Sequence, residues 1–237
     1  MLTTRFKINY SIGAIANGIK TDAFTFFLLF FYSRVIGLDP LLASSAIALA
    51  LIIDSITDPL MGAISDRTKT IFGRRHPYML VSFIPITFFY ILLFSPQESW
   101  ELSQNQLFWW MFLCATFTRI GITLFEVPHR SFGAEISNDY HERTKLFSWR
   151  ELFAWTAGIS NAFFAYFVFF RSTPEYPQGQ LNPEAYFDLA LLGGFVMAVS
   201  IIFSTISTRN EVNNLSSWKG TTPVSYTHLR AHETSVN

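Results

Sequence analysis

Residues 41–64 read LLASSAIALALIIDSITDPLMGAI, an apolar stretch that holds two aspartates, Asp54 and Asp58. A run of about 20 apolar residues is long enough to cross a bilayer as a helix. Because a carboxylate in hydrocarbon costs at least ~2.5 kcal/mol, an acid inside such a helix indicates a functional site. The four-residue spacing places both aspartates on one helix face, and like charges that close require a shared proton or a bound cation. The stretch therefore predicts ion-coupled transport.

The composition of the whole chain is that of a membrane protein. Of its 237 residues, 50% are hydrophobic, only 14% are charged, and 26 are phenylalanine. Soluble domains carry about 25% charged residues, so this balance excludes an ordinary soluble domain. The formal net charge is zero, and we expect no nucleic-acid partner. The single cysteine, Cys114, excludes a disulfide framework.

Apolar runs of span length predict six transmembrane helices. They cover about residues 9–36, 41–64, 78–95, 106–127, 146–170 and 187–207. Basic residues concentrate on one side of these spans: Arg5, Lys7, Arg67, Lys69, Arg74, Arg75, Arg130, Arg143, Lys145 and Arg209. The opposite side offers only Arg34 and Arg171. By the positive-inside rule the N-terminus is cytoplasmic, and we expect a multi-pass protein of the cell (inner) membrane.

Residues 213–237 form a polar tail that differs from the preceding six-helix bundle, which we assign to residues 1–212. From about residue 221 the sequence TTPVSYTHLRAHETSVN has neither helical periodicity nor strand alternation. Its segment SYTHLRAHET resembles a translated sequencing adaptor, so we interpret about residues 221–237 as non-native and exclude them from functional reasoning. We expect the natural protein to continue, with this chain as its N-terminal fragment.

The loop between the second and third spans carries the most specific pattern, DPLMGAISDRTKTIFGRRHP at residues 58–77. In it, Gly62 predicts the close approach of a neighbouring helix, Gly73 predicts a tight turn, and Asp66 is placed to pair with arginines. Charge contacts of this kind can lock one face of a transporter. A topology signal alone explains the arginine pair but neither Asp58-Pro59 nor the adjacent Asp66 and Arg67. We therefore assign a gating role to Gly62, Asp66, Arg67, Gly73, Arg74 and Arg75.

This pattern resembles that of the glycoside-pentoside-hexuronide:cation symporters, a family of the major facilitator superfamily, over about residues 5–212. Further similar segments are KINYSIG at 7–13, FFY at 30–32, EVP at 126–128 and DYHERT at 139–144. The resemblance implies an all-α integral membrane fold of twelve helices in two six-helix bundles, with substrate and cation held between them. The six spans here then form the N-terminal bundle. The expected partners are the lipid bilayer, a small-molecule substrate and the missing C-terminal bundle.

The resemblance also implies a set of binding residues. The cation site would use Asp54, Asp58 and Glu126, with the Thr123 hydroxyl as a further ligand. Hard cations such as sodium favour these oxygen ligands, and the same acids would serve a proton. Substrate hydroxyls would be bound by Glu126 and Arg150. We expect no cofactor and no metal site beyond that of the transported cation.

The sequence departs from the family pattern on the substrate side. In the best-known relative a lysine–aspartate pair of helix one binds sugar, and Asn17 and Gly18 stand in its place here. A sugar-stacking tryptophan of helix four is replaced by Arg130. Asn17 remains a candidate substrate contact, as does Asp22, about one turn further along. Lys20 and Asp22 either restore an ionic pair for the substrate or only join helices.

Other charged residues within the spans have competing structural interpretations. Arg119 shares a helix face with Thr123 and Glu126, and it either neutralises Glu126 or takes part in function. Arg150 and Glu151 lie near the cytoplasmic start of the fifth span, where they could snorkel. The family resemblance favours function for Arg150, whereas position favours a structural role for Glu151.

Two functions remain open. The first is secondary active symport of a sugar or glycoside with sodium or a proton, by alternating access. The second is transport or flipping of a lysolipid-like amphiphile, which the loss of the helix-one pair favours. A receptor or scaffold would not need Asp54 and Asp58 and is the weakest alternative. We expect no enzyme activity, because metal-ligand spacing, a nucleophile elbow and a phosphate-cradling loop are all missing from the sequence.

Overall fold

Six long helices make up the fold. The computed structural model describes residues 2–68, 70 and 72–210. Its membrane-length helices are α1 (Thr4–Val35), α2 (Pro40–Arg67), α3 (His76–Leu93), α4 (Gln104–Glu135), α5 (Tyr140–Phe169) and α6 (Pro183–Thr208). Within these described ranges no strand occurs. The prediction of an all-α membrane fold with six spans is confirmed, and the predicted tail at 213–237 lies outside the described residues.

Polar caps fix several helix ends beyond the apolar runs. At the start of α2, the Asp39 carboxylate accepts hydrogen bonds from the backbone N–H groups of Leu41 and Leu42. Ser103 and Gln106 form a reciprocal capping box at the start of α4. Such caps satisfy N–H groups that have no partner inside the helix. The helices therefore differ in their bounds from spans read by hydropathy alone.

Prolines lie inside three of the helices, Pro59 in α2, Pro85 in α3 and Pro128 in α4. The predicted end of the fourth span at residue 127 is wrong, because α4 runs through Pro128 to Glu135. Membrane helices tolerate proline where neighbouring groups satisfy the freed backbone carbonyl. In consequence Arg130 lies on the helix, one turn beyond Glu126, and not in a loop.

The helices pack in a series in which each contacts the next. α2 packs against α4, α4 against α3, α3 against α6, α6 against α1, and α1 against α5. The helices at the two ends of the series are the least covered: 17% of the apolar segment is buried in α2 and in α5, against 50% in α1, α4 and α6. α2 and α5 therefore carry much of the surface that this bundle leaves unpacked.

α1 and α5 cross in close contact at Gly18. A Cβ atom at Gly18 would lie 2.1 Å from the backbone oxygen of Ala154 and 2.8 Å from its carbonyl carbon. One turn further along α5, a Cβ atom at Gly158 would lie 3.3 Å from the Gly18 oxygen. Small residues let membrane helices approach in this way. A side chain at position 18 would force the two backbones apart, so Gly18 is required for this helix contact.

Candidate functional site

The two aspartates of α2 converge on one hydroxyl group of α4. Thr123 Oγ1 lies 2.7 Å from Asp58 Oδ1 and 3.2 Å from Asp54 Oδ1. The i, i+4 spacing directs both carboxylates to the face of α2 that packs on α4. Thr123 is only 4% exposed, whereas Asp54 is partly buried and Asp58 is exposed, so the cluster lies at the edge of the bundle. Three oxygen-bearing side chains thus surround one small volume, which is the type of donor set that a hard cation prefers.

Arg119 adds a positive charge to this cluster. Its Nη1 donates a hydrogen bond to Asp54 Oδ2 over 2.8 Å, and its guanidinium lies 5.0 Å from the ring centroid of Phe24 in α1. These contacts contradict the alternative in which Arg119 neutralises Glu126. Spacing along α4 identifies the helix face that carries Arg119, whereas the packing of α2 on that face selects its partner.

A second charged cluster joins α4 to α5. Glu126 Oε1 accepts hydrogen bonds from Arg150 of α5 and, over 2.7 Å, from Arg130 Nε. Arg150 also donates to Glu151, and Arg130 Nη2 lies 3.9 Å from Glu151. The Arg150 side chain is 0% exposed, so the snorkelling interpretation is wrong for this residue. Two arginines balance two glutamates, so the cluster is neutral: Arg150 is buried, Glu126 is mostly buried, and Arg130 and Glu151 are about half exposed.

The two clusters share α4 but use separate hydrogen-bond networks. Within the described part of the chain, Glu126 bonds to arginines and not to Asp54, Asp58 or Thr123. The structure thus brings three of the four predicted cation ligands together and groups Glu126 with Arg150 instead. Glu126 Oε2 and Arg150 Nε are buried without a hydrogen-bond partner. This second cluster therefore retains unused acceptor and donor capacity.

Asn17 and Asp22, the other predicted substrate contacts, line a cleft of about 470 Å³ between α1 and α5. Its lining also includes Thr21, Thr25, Phe26, Glu151, Trp155 and Ile159. Because Glu151 also belongs to the charged cluster, the cleft and the cluster are continuous. Asp22 Oδ2 accepts a hydrogen bond from Asn161 Nδ2 of α5 over 2.7 Å. Asp22 therefore joins α1 to α5, and the ionic pair with Lys20 is not formed.

The loop between α2 and α3, to which a gating role was predicted, forms an ion-pair network between helix ends. Arg75 Nη2 lies 2.7 Å from Asp66 Oδ1 at the end of α2, and both Arg74 and Arg75 donate to Glu135 at the end of α4. Arg75 therefore ties α2 to α4. Asp66 pairs with Arg75 and not with its neighbour Arg67, because adjacent residues of a helix do not face each other.

The two glycines of this motif differ in their surroundings. Gly73 has a φ of +84°, a conformation that glycine adopts without steric cost, so the predicted turn is present. At Gly62, an added Cβ atom would meet only Val127 Cγ1, at the ordinary contact distance of 3.7 Å. The close helix approach predicted at Gly62 is therefore not observed.

Sequence reasoning missed Glu135, which binds both arginines of the loop. A signal for it was present in the sequence. The loop arginines required an acidic partner from a neighbouring helix, and Glu135 is the first acid that follows Glu126 on the cytoplasmic side. Apolar periodicity ends the fourth span at residue 127, whereas the helix continues and carries Glu135 at its last turn.

Comparison with known sequences gives a consistent set of relatives. The family described as MFS/sugar transport protein matches residues 9–230, a region that includes part of the tail. The chain is 34% identical over 181 residues to the uncharacterized symporter sll1374 of Synechocystis, covering 74% of this chain and 33% of that protein. It is 33% identical over 152 residues to the putative glycoside/cation symporter YagG of Escherichia coli, covering 63% of this chain and 32% of that protein.

A further relative differs in what its name says it carries. The sodium-dependent lysophosphatidylcholine symporter 1-A of Danio rerio is 31% identical over 163 residues, which cover 67% of this chain and 30% of that protein. The chain thus spans about a third of the length of the curated relatives it matches.

Proposed function

This chain belongs to the glycoside-pentoside-hexuronide:cation symporter family of the major facilitator superfamily, and we propose that it forms half of a symporter that carries a sugar or glycoside with sodium or a proton. Membership of this family makes it part of a transporter and not of an enzyme. We further propose that the protein lies in the cell membrane with a cytoplasmic N-terminus. A reporter fused to residue 1 that is inaccessible from outside intact cells would agree with this orientation.

The observation that carries the proposal is the convergence of Asp54 and Asp58 on the Thr123 hydroxyl between two membrane helices. Two carboxylates at such a site are stabilised when a positive charge binds them. A cation that binds there makes a conformation with this geometry more favourable. If the substrate prefers the same conformation, each ligand raises the affinity of the other by the same factor, which is the thermodynamic basis of symport.

The Glu126–Arg150 pair supports binding of a hydroxyl-bearing substrate. The carboxylate accepts hydrogen bonds and the guanidinium donates them, so together they can hold neighbouring hydroxyl groups. Both groups are buried beside the cleft that contains Asn17. In the proposed cycle, the Asp66–Arg75–Glu135 network at the helix ends forms in one orientation of the transporter and breaks in the other.

Uptake into proteoliposomes tests the proposal. The full-length protein should accumulate a radiolabelled glycoside when an inward sodium or proton gradient is imposed. Asp54→Asn and Asp58→Asn should remove this ion dependence, because the amide keeps the size of the side chain but not its charge. Asp188→Asn, which changes an exposed acid of α6, is the matched control and should keep it. Ion-dependent uptake by both of the first two variants would refute the site assignment.

A second function, transport of a lysolipid-like amphiphile, is supported by the cleft itself. Phe26, Trp155 and Ile159 give it a largely apolar lining, and a relative is named a lysophosphatidylcholine symporter. The same vesicles should therefore be offered lysophosphatidylcholine in parallel with the glycosides. Gradient-driven uptake of the lysolipid alone would replace the sugar proposal with this one.

We also propose that residues 1–237 are insufficient for transport. Binding sites in this superfamily lie between two bundles, and this chain supplies one. Vesicles that contain this chain alone should take up no more substrate than empty vesicles, and uptake above that level would contradict the half-transporter proposal.

A further inference from the structure

We propose that Arg119 is a tethered cation that competes with the coupling ion for Asp54 and thereby sets the affinity of the site for that ion. The inference rests on the proposed role of the two aspartates and deepens it. It concerns a residue that lies outside the cation site implied by the family resemblance.

The contacts of Asp54 differ from those of Asp58. Both oxygens of Asp54 are engaged, Oδ1 by Thr123 and Oδ2 by Arg119 Nη1. Among the described residues, Asp58 is hydrogen-bonded only to the Thr123 hydroxyl. A cation that enters between the two aspartates therefore finds one carboxylate available and the other already paired with a fixed positive charge. Full use of Asp54 as a ligand requires the guanidinium to move away.

The charge balance of the site leads to the same conclusion. The charges that act on the Lys20 ammonium of α1 include those of Arg119, Asp54, Glu126 and Asp58. Glu126 is already paired with arginines of the second cluster, which leaves two positive and two negative groups in this region. A guanidinium does not lose its proton in proteins. An additional cation therefore gives this region one uncompensated positive charge, and the repulsion between Arg119 and that cation lowers the affinity of the site for it.

The way Arg119 is held allows such a movement. A single nitrogen, Nη1, bonds to Asp54, and Nε is buried without a partner. The pair is not the bidentate arrangement in which arginine binds carboxylates most strongly. The guanidinium already lies over the ring of Phe24, 5.0 Å from its centroid, and this attraction to an aromatic face does not depend on the bond to Asp54. Arg119 is thus a partner that an entering cation can displace from Asp54.

Sodium titration of the full-length protein tests the inference. Sodium chloride replaces choline chloride at constant ionic strength, and binding is followed by the sodium-dependent rise in unfolding temperature and by intrinsic fluorescence. Arg119→Gln should bind sodium at least tenfold more tightly than the wild type, or acquire sodium binding if the wild type has none. Arg119→Lys, which keeps the charge, should stay within threefold of the wild type. Arg5→Gln is the matched control. It removes an exposed arginine at the start of α1 and should leave the sodium affinity unchanged.

The other outcomes distinguish failure of this inference from failure of the proposed function. Unchanged or weaker sodium affinity in Arg119→Gln, with ion-dependent uptake by the wild type, would overturn this inference and leave the proposed function standing. Arg119→Met replaces Arg119→Gln if the latter does not fold. If neither neutral variant folds, Arg119 is a structural partner of Asp54 and the inference is overturned. Ion-independent uptake and no sodium response in any variant would overturn the proposed function as well.

Discussion

Replacing Gly18 by alanine should destabilise the protein, although alanine is the better helix former. The new Cβ would lie 2.1 Å from the Ala154 backbone oxygen, against about 3.5 Å for an ordinary contact. α1 and α5 would have to separate by about 1 Å, which forfeits a quarter to a half of each contact at the crossing. Overpacking of this kind costs about 1–3 kcal/mol, and helix propensity returns about 1 kcal/mol. Because backbone atoms cannot rotate away, we expect the net loss at the upper end, about 2 kcal/mol.

Gly62→Ala is the matched control, since the added methyl group there meets only Val127 at 3.7 Å. It should gain up to about 1 kcal/mol from helix propensity. The two substitutions should therefore differ by about 3 kcal/mol, with Gly18→Ala unfolding at the lower temperature. Thermal unfolding of the full-length protein in detergent, followed by tryptophan fluorescence, measures both. Equal unfolding temperatures for Gly18→Ala and Gly62→Ala would refute the close crossing of α1 and α5.

Three further predictions concern side chains of the two clusters and the gating motif. Thr123→Val should weaken sodium binding at least tenfold, since a hydrogen bond to a charged group is worth about 1.5–3 kcal/mol. Its control is Thr116→Val, which removes a buried hydroxyl without a partner and should leave a sodium titration unchanged. Arg150→Lys should lower substrate affinity at least tenfold while sodium affinity stays the same, because a point charge replaces a planar fork; the reverse result in paired equilibrium titrations would exchange the assigned roles. Arg75→Gln should lower the unfolding temperature more than Arg74→Gln does. Arg75 is 6% exposed and pairs with two acids, whereas Arg74 is 45% exposed and pairs with one. Equal shifts in unfolding temperature would contradict the ion-pair network.

The parts of the site that could be predicted follow from the geometry of single helices. Asp54 and Asp58 face one way because a helix repeats every 3.6 residues, and an acid in an apolar stretch has few destinations other than a polar partner. The resemblance added Thr123 on the neighbouring helix, and these three residues do meet. The turn at Gly73 was likewise predictable, since a local conformation determines it.

The choice of ionic partner could not be predicted in the same way. Asp66 had candidate arginines both beside it and in the following loop, and only the packing of α2 on α4 selects Arg75. Position along the chain allowed Arg150 to reach the membrane surface, but Glu126 of α4 supplies a buried acid within its reach. Hydropathy also placed the end of α4 at its proline, whereas the helix continues beyond the apolar segment. There Arg130 pairs with Glu126, and Glu135 pairs with the loop arginines.

The hydroxyl of Thr123 carries only one hydrogen atom, yet two carboxylate oxygens lie within hydrogen-bonding distance of it. One of the two contacts therefore lacks a hydrogen when both aspartates are ionised. A proton on either aspartate supplies it, and a small dehydrated cation placed between the oxygens removes the need for it. Sodium and the proton thus fill the same deficit. A transporter built on this arrangement can change its coupling ion while it keeps all three residues, so that the choice of ion falls to the charged groups around them.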